Sequence, residues 1–392
     1  MKRIGIYGGT FNPPHAGHIR GASYAIAALE LERLLLIPSC ISPHKTIPSH
    51  SPTPEQRAQM LKLAAGESME VSDIELCRGG TSYTYETVEA IAAQYPDKEL
   101  VLLIGTDMFL SFLSWKEPAR ILQKAALGVL YRGDKGELEQ IEEQKKTLEA
   151  QGAKVYLVKN PVTAISSTQL RRMLIFRCAD SFLPESVGNY IRQQGFYGIA
   201  KDYRNLPIEE LEQVAVSLVK PSRVAHILDC RDTAAELARR WGADELDAAR
   251  AGLLHDITKA LDGPLQLTLS REYGMMLDTF HEKNPKTLHA LTGSLVADRI
   301  FGENREVVAA IRSHTTGKAN MNTLEKILYV ADYMEPNRNF PGVEKLRELA
   351  FTDLDKALKL GLEMTLKLLK QQGREISPES AEALAFLERS GV

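Results

Sequence analysis

Three groups of residues have the types and spacing to do chemistry. The first is Gly8-Gly9-Thr10-Phe11, which runs through Asn12-Pro13-Pro14 into His15-Ala16-Gly17-His18. Two imidazoles three residues apart at a helix start can reach one spot and donate hydrogen bonds to phosphate oxygens at little entropic cost. Glycines ahead of them let backbone N–H groups approach a phosphate, and the next helix adds its positive N-terminal end. The run is neither Gly-x-Gly-x-x-Gly nor Gly-x-x-x-x-Gly-Lys-Ser/Thr, so it is not one of the common phosphate loops. The second group is Ile165-Ser166-Ser167-Thr168-Gln169-Leu170-Arg171-Arg172. By itself it reads either as an ordinary helix cap or as an anion site, with hydroxyls and free N–H groups meeting oxygens and Arg171 supplying charge.

The third group is spread through the second half: His226, His255-Asp256, His289, His314 and Asp332. Histidines and aspartates on the apolar faces of separate helices each cost roughly several kcal/mol if buried without partners. A metal ion shared among them removes that cost, and mixed imidazole and carboxylate ligands suit iron or manganese. His281 lies in a polar stretch and reads as a locally satisfied side chain. Lys259, one turn after Asp256, fits either a phosphate contact or a solvated lysine.

These residues need elements to hold them. A chain of 392 residues predicts two or three domains at ~150 residues each. Lys2–Tyr7, Arg33–Pro38, Leu100–Gly105, Leu127–Arg132 and Lys154–Lys159 predict buried strands. Thr53–Ala65, Thr84–Gln94, Glu137–Gln151 and Thr168–Phe176 predict helices. That alternation implies an α/β fold, a doubly wound parallel sheet covered on both faces, with ligands at the carboxyl ends of its strands. After Gly198 the strand signal disappears and long 3.6-residue periodicities take over, so a boundary is expected near residue 200 between an α/β domain (1–200) and an all-α domain (201–392). Pro221-Ser222 marks a helix start there and Gly242 its stop.

Composition narrows the setting. The mean hydropathy is −0.20 and the net charge −3, which argues against a broad basic surface for nucleic acid. The longest apolar stretches, such as Leu34–Pro38, fall far short of the ~20 residues of a membrane span. The N-terminal segment reaches glycine before any apolar run develops, so no secretory signal is expected and the protein is placed in the cytoplasm. Cys40, Cys77, Cys178 and Cys230 are too scattered for a zinc or disulfide framework.

Together the first two motifs resemble the nucleotidyltransferase superfamily, in which His-x-Gly-His and Ile-Ser-Ser-Thr-x-x-Arg grip the ATP triphosphate from both sides. The loops between them, Ser42-Pro43-His44-Lys45, Gly80-Thr81-Ser82-Tyr83-Thr84-Tyr85-Glu86-Thr87 and Ile104-Gly105-Thr106-Asp107-Met108 through Trp115, resemble bacterial nicotinate mononucleotide adenylyltransferase over essentially residues 1–195. The resemblance implies a Rossmann-like fold and adenylyl transfer from Mg²⁺-ATP to nicotinate mononucleotide, giving deamido-NAD and pyrophosphate. It implies an ATP site at Gly8, Gly9, Thr10, Phe11, His15, His18, Ser166, Ser167, Thr168 and Arg171, with His18 and Arg171 catalytic. It implies a mononucleotide site at His44, Lys45, Tyr83, Thr84, Asp107 and Trp115, although Trp115 also fits a plain core aromatic. One departure is Ser42, where the family loop usually has proline. Nicotinamide mononucleotide and pantetheine phosphate remain alternative acceptors.

The order His, His-Asp, Asp in the second half resembles the HD phosphohydrolase superfamily. Leu-Leu-His-Asp, Leu-His-Ala, His-Thr-Thr-Gly and Ala-Asp-Tyr-Met-Glu-Pro-Asn-Arg are similar to the YqeK-type hydrolases, which cleave diadenosine tetraphosphate symmetrically into two ADP. The resemblance runs from about residue 210 to 375. It implies a first metal on His226, His255, Asp256 and Asp332 and a second on His289 and His314, with Asp256 bridging and catalytic. Arg338 matches the family wording and would hold either a polyphosphate or a loop. The rival reading of this half is a module that senses nucleotides or metal, or dimerises, without turnover; a homodimer is left open.

Overall fold

The structure is a computed structural model, and it describes residues 2–43, 48, 51–131, 135–160 and 165–392. Contacts divide the chain into two units, Met1–Lys201 and Asp202–Val392.

The first unit is built on six strands: β1 (Arg3–Gly9), β2 (Leu31–Pro38), β3 (Met69–Val71), β4 (Glu99–Gly105), β5 (Ala125–Tyr131) and β6 (Val155–Lys159). They pair in the order β3-β2-β1-β4-β5-β6, every pair parallel. Their runs are apolar because both faces are covered, and side chains alternate between two cores. Ile4, Ile6, Leu35, Ile37, Leu100, Leu102 and Ile104 join one cluster. Leu34, Leu36, Val101 and Leu103 join the other. Strand order reverses between β1 and β4, so their carboxyl ends part and leave the crevice where such sheets bind ligands. The α/β expectation holds, with two local corrections. Gly8 and Gly9 belong to β1 rather than following it, since they pair with Ile37 and Pro38. β3 escaped the sequence pattern because an edge strand of three residues carries too little periodicity to detect.

The second unit is helical throughout. The long helix Val224–Trp241 ends where Gly242 takes a left-handed φ of 71°, a conformation that glycine adopts without strain. It packs against the helix Glu245–Leu254 at Gly252, where a Cβ would stand 2.6 Å from the Arg231 Cα and 2.8 Å from its backbone nitrogen. Backbone cannot yield as a side-chain tip can. Among the described residues no helix is long and apolar enough to cross a membrane.

Gly252→Ala is therefore expected to destabilise the helical unit by about 1–3 kcal/mol, overpacking outweighing alanine's better helix propensity. Chemical denaturation checks it; unchanged or higher stability would show that the two helices can separate freely.

Candidate active sites

In the α/β unit the first motif lies at the crevice. Gly8 is exposed, and a Cβ added there would enter open space, so its backbone is accessible. Phe11 is buried with a φ of 46° and packs edge-on against Tyr7 and His18. His15 is the N-cap of the helix Ala16–Ala28. Its backbone N–H donates to Nδ1 of His18 at 3.2 Å, and the two rings lie 3.7 Å apart. An Nδ1 that accepts leaves the neutral His18 proton on Nε2, a donor for an anion.

The second motif comes to the same place. Ser166 caps the helix Ser167–Ile175 in a reciprocal box with Gln169. The hydroxyl of Ser167 donates to the Pro13 carbonyl at 3.3 Å, and Arg171 donates to the Asn12 carbonyl at 2.8 Å and to the Thr168 hydroxyl at 3.1 Å. Segments about 155 residues apart in sequence thus meet at one loop. Ser166 does the capping, as the helix-cap reading expects, while Ser167 and Arg171 turn toward the loop.

The acceptor candidates are placed less completely. Tyr83 caps the helix Thr84–Gln94, and Ser82 ties that start to the end of β2, its N–H donating to the Ile41 carbonyl and its hydroxyl accepting from the Cys40 N–H, both at 2.9 Å. The Lys116 ammonium lies 3.9 Å from the centre of the Tyr83 ring. Asp107 is exposed at the carboxyl end of β4, and Trp115 is half-buried, packed on Phe112. His44 and Lys45 lie outside the described residues.

Arg57 was missed. Its guanidinium is wholly buried and donates to the carbonyls of Thr10 at 2.5 Å, Ser39 at 2.7 Å and Cys40 at 3.3 Å, joining the glycine loop to the β2 loop. The signal was present: Arg57 occupies the stripe of Met60, Leu61 and Ala64, all buried, where an apolar residue is expected.

In the helical unit five helices deliver the third group to one spot. His226 and His289 stand in the first turns of Val224–Trp241 and Leu288–Val296. His255 and His314 follow the ends of Glu245–Leu254 and Arg305–Ser313, and Asp332 lies in the last turn of Thr323–Met334. Asp256 is wholly buried at the centre. Its Oδ2 faces His226 Nε2 at 3.6 Å and His255 Nε2 at 3.5 Å. Its Oδ1 faces His289 Nε2 at 3.4 Å and His314 Nε2 at 3.8 Å. His226 Nε2 also lies 3.2 Å from Asp332 Oδ1 and 3.1 Å from His255 Nε2. Nitrogens packed this closely, with carboxylate oxygens between them, are a donor set that a divalent cation fits, either at His226, His255 and Asp332 or at His255, Asp256 and His314.

The outer ring nitrogens support that fit. Nδ1 of His255 faces the Gly252 carbonyl at 2.7 Å, that of His289 the Lys286 carbonyl at 2.8 Å and that of His314 the Ile311 carbonyl at 2.7 Å. Each acceptor lies three residues back. With Nδ1–H engaged, Nε2 keeps its lone pair for the cluster. Three cations attend the acids: Lys259 lies 3.0 Å from Asp256, Arg338 lies 2.6 Å from Asp332, and Arg223, which was also missed, pairs with Asp256. Arg223 stands one turn before His226, a spacing that could have revealed it. His281 is satisfied locally, with Nδ1 2.7 Å from Asp278.

Burial works against the Asp256 charge, yet His255, His314 and Lys259 outweigh it and hold the carboxyl well below its usual range. Burial also pushes the imidazole of His255 down to about 4 and that of His289 to about 3.

Residues 6–173 match the cytidylyltransferase-like family model and residues 223–337 the HD domain model. The symmetrical bis(5'-nucleosyl)-tetraphosphatase of Halalkalibacterium halodurans is 40% identical over 171 residues, 42% of this chain and 91% of that one. The enzyme of the same name from Bacillus subtilis is 38% identical over 160 residues, 40% of this chain and 85% of that one. A probable nicotinate-nucleotide adenylyltransferase of Desulfatibacillum aliphaticivorans is 34% identical over 216 residues, 50% of this chain and 99% of that one.

The histidine shifts fix a pH dependence. An unfolded imidazole takes up its proton near 6.5, but folded His255 and His289 do so only near 4 and 3. The stability they contribute is therefore complete above about pH 6.5 and is lost as pH falls toward those folded values. In EDTA-treated protein the melting temperature of the helical unit should decline between pH 7 and 4.5; a flat profile would show that the rings are not held neutral.

Proposed function

The chain unites a member of the nicotinate-nucleotide adenylyltransferase family in its N-terminal half with a member of the symmetrical bis(5'-nucleosyl)-tetraphosphatase family in its C-terminal half, and from that premise we propose that it is a bifunctional enzyme. Residues 1–200 transfer the adenylyl group of ATP to nicotinate mononucleotide, and residues 201–392 hydrolyse diadenosine tetraphosphate to two ADP. The division of contacts after Lys201 supports this assignment. The four free cysteines support a reducing, cytoplasmic setting.

For the transfer, a phosphate oxygen of the mononucleotide attacks the α-phosphorus of Mg²⁺-ATP in line and pyrophosphate leaves, giving deamido-NAD. The attacking phosphate is already an anion, so no general base is needed and positioning carries the reaction. The backbone of Gly8 and Gly9, with Thr10, Phe11, His15 and the Nε2–H of His18, receives the triphosphate on one side. Ser166, Ser167, Thr168 and Arg171 receive it on the other. Tyr83, Thr84, Asp107 and Trp115, together with His44 and Lys45, hold the mononucleotide. The observation that carries this reading is the pair of bonds from Ser167 and Arg171 to the Pro13 and Asn12 carbonyls, which brings two distant motifs to one loop.

For the hydrolysis, His226, His255, Asp256 and Asp332 would hold one metal ion and His289 and His314, with Asp256, a second; iron or manganese would suit the set. When bound, the metal supplies hydroxide near neutral pH and polarises the phosphoryl oxygen. The backbone carbonyls aim three of the rings, and Lys259, Arg223 and Arg338 concentrate positive charge where a polyphosphate would lie. The facing of Asp256 Oδ2 and Oδ1 toward two different histidine pairs is the observation that supports giving Asp256 to both sets.

His18→Ala is expected to lower the kcat of adenylyl transfer by about 10²–10³ and to leave the KM for the mononucleotide nearly unchanged. A rise in the KM for ATP with normal kcat would exclude this role. Asp256→Ala should reduce tetraphosphate cleavage by more than the ~10–100-fold typical of losing an outer partner, with adenylyl transfer intact. Altered transfer kinetics, in a chain whose wild type does not cleave the tetraphosphate, would instead make the second half a sensor.

A further inference from the structure

The four histidines of the cluster are not held alike. Nδ1 of His255, His289 and His314 faces a neutral carbonyl three residues back in its own chain segment. His226 has Arg223 three residues back, and its Nδ1 lies instead 3.1 Å from Oε1 of Glu335, 109 residues away. We propose that Glu335 is a positioning residue that aims His226 through a charged hydrogen bond and so strengthens the metal position that His226, His255 and Asp332 share. The proposal rests on the metal-binding reading above.

Glu335 is built in rather than incidental. Only 2% of it is exposed, and it follows the helix Thr323–Met334, so one helix end delivers both the ligand Asp332 and, three residues on, the partner of another ligand. Its Oε2 accepts the Asn337 N–H at 2.6 Å, and the Arg338 Nε lies 3.6 Å from Oε1. The carboxylate is thus held by two contacts besides His226. Burying a carboxylate costs free energy that a backbone carbonyl acceptor does not incur. The three other histidines show that a carbonyl suffices for orientation. What the carboxylate adds is charge. By accepting Nδ1–H it holds the lone pair on Nε2, 3.2 Å from Asp332 and 3.1 Å from His255 Nε2, and makes that imidazole the stronger donor. Among the described residues of the cluster, His226 is the one ring so treated, which makes its side of Asp256 the tighter one.

The test is titration of the EDTA-treated full chain with Mn²⁺, reading free ion by its paramagnetic resonance signal, for wild type, Glu335→Gln and Glu335→Ala. Glutamine keeps an acceptor and removes the charge, while alanine removes both. The tightest-bound equivalent should weaken by about 10–100-fold in Glu335→Gln and at least as much in Glu335→Ala. The rise in melting temperature on adding Mn²⁺ should shrink accordingly, whereas a merely structural role would lower the melting temperature in EDTA and leave Mn²⁺ affinity alone. If Glu335→Gln does not fold, as judged by circular dichroism, Glu335→Ala carries the same expectation. A folded variant that binds Mn²⁺ as tightly as wild type overturns the proposal. A wild-type chain that binds no Mn²⁺ overturns the metal reading itself, and the proposal with it.

Discussion

The carboxylate of Asp256 has no access to solvent, and a buried charge has to be answered within the protein. Most of what is distinctive about the helical unit follows from how it is answered. Four helices bring an imidazole to within 3.8 Å of one or other of its oxygens, and a fifth brings Asp332 beside two of them. Burial pushes two of those imidazoles, His255 and His289, below their ordinary range, and cations reach the acids from the rim: Lys259 and Arg223 reach Asp256, and Arg338 reaches Asp332. The helix packing that makes this convergence possible depends on close approaches such as the one at Gly252, whose carbonyl also receives His255.

The α/β unit solves the opposite problem. In the proposed function it presents backbone N–H groups to an anion, so the carbonyls of the same loop need partners facing the other way. Arg57 takes the Thr10 carbonyl from within the core, and Arg171 takes that of Asn12. Tyr197, buried near the end of the unit, donates its hydroxyl hydrogen to the Asn12 side chain at 2.7 Å. The loop is held in shape by these cations, which also raise the local positive potential. An overall charge of −3 says nothing about this, because the relevant charges are few and local.

Much of this was legible in the sequence, for reasons that differ between elements. The sheet was visible because β2, β4 and β5 are buried on both faces and so read as continuous apolar runs. The histidines and aspartates of the second half were visible because polar residues on apolar stripes demand an explanation. Arg57, Arg223 and Glu335 were not picked out, although each sits at helical spacing from a residue that mattered: Arg57 on the stripe of Met60 and Leu61, Arg223 before His226 and Glu335 after Asp332. A charged side chain on one helix looks solvated until the facing element is known, and Glu335 meets its partner 109 residues away. Pairing across that distance is a property of the fold, not of local sequence.

The three histidines tied to carbonyls of their own turns have a consequence for how such a site changes over time. The acceptors belong to the main chain at Gly252, Lys286 and Ile311, and every amino acid offers the same oxygen there. Where the side chain is not itself constrained, as at the solvent-facing Lys286, substitutions can accumulate without disturbing the aim of the ring they support. In a diverging lineage the orientation of these rings is inherited with the helices, and the surface around them is free to drift.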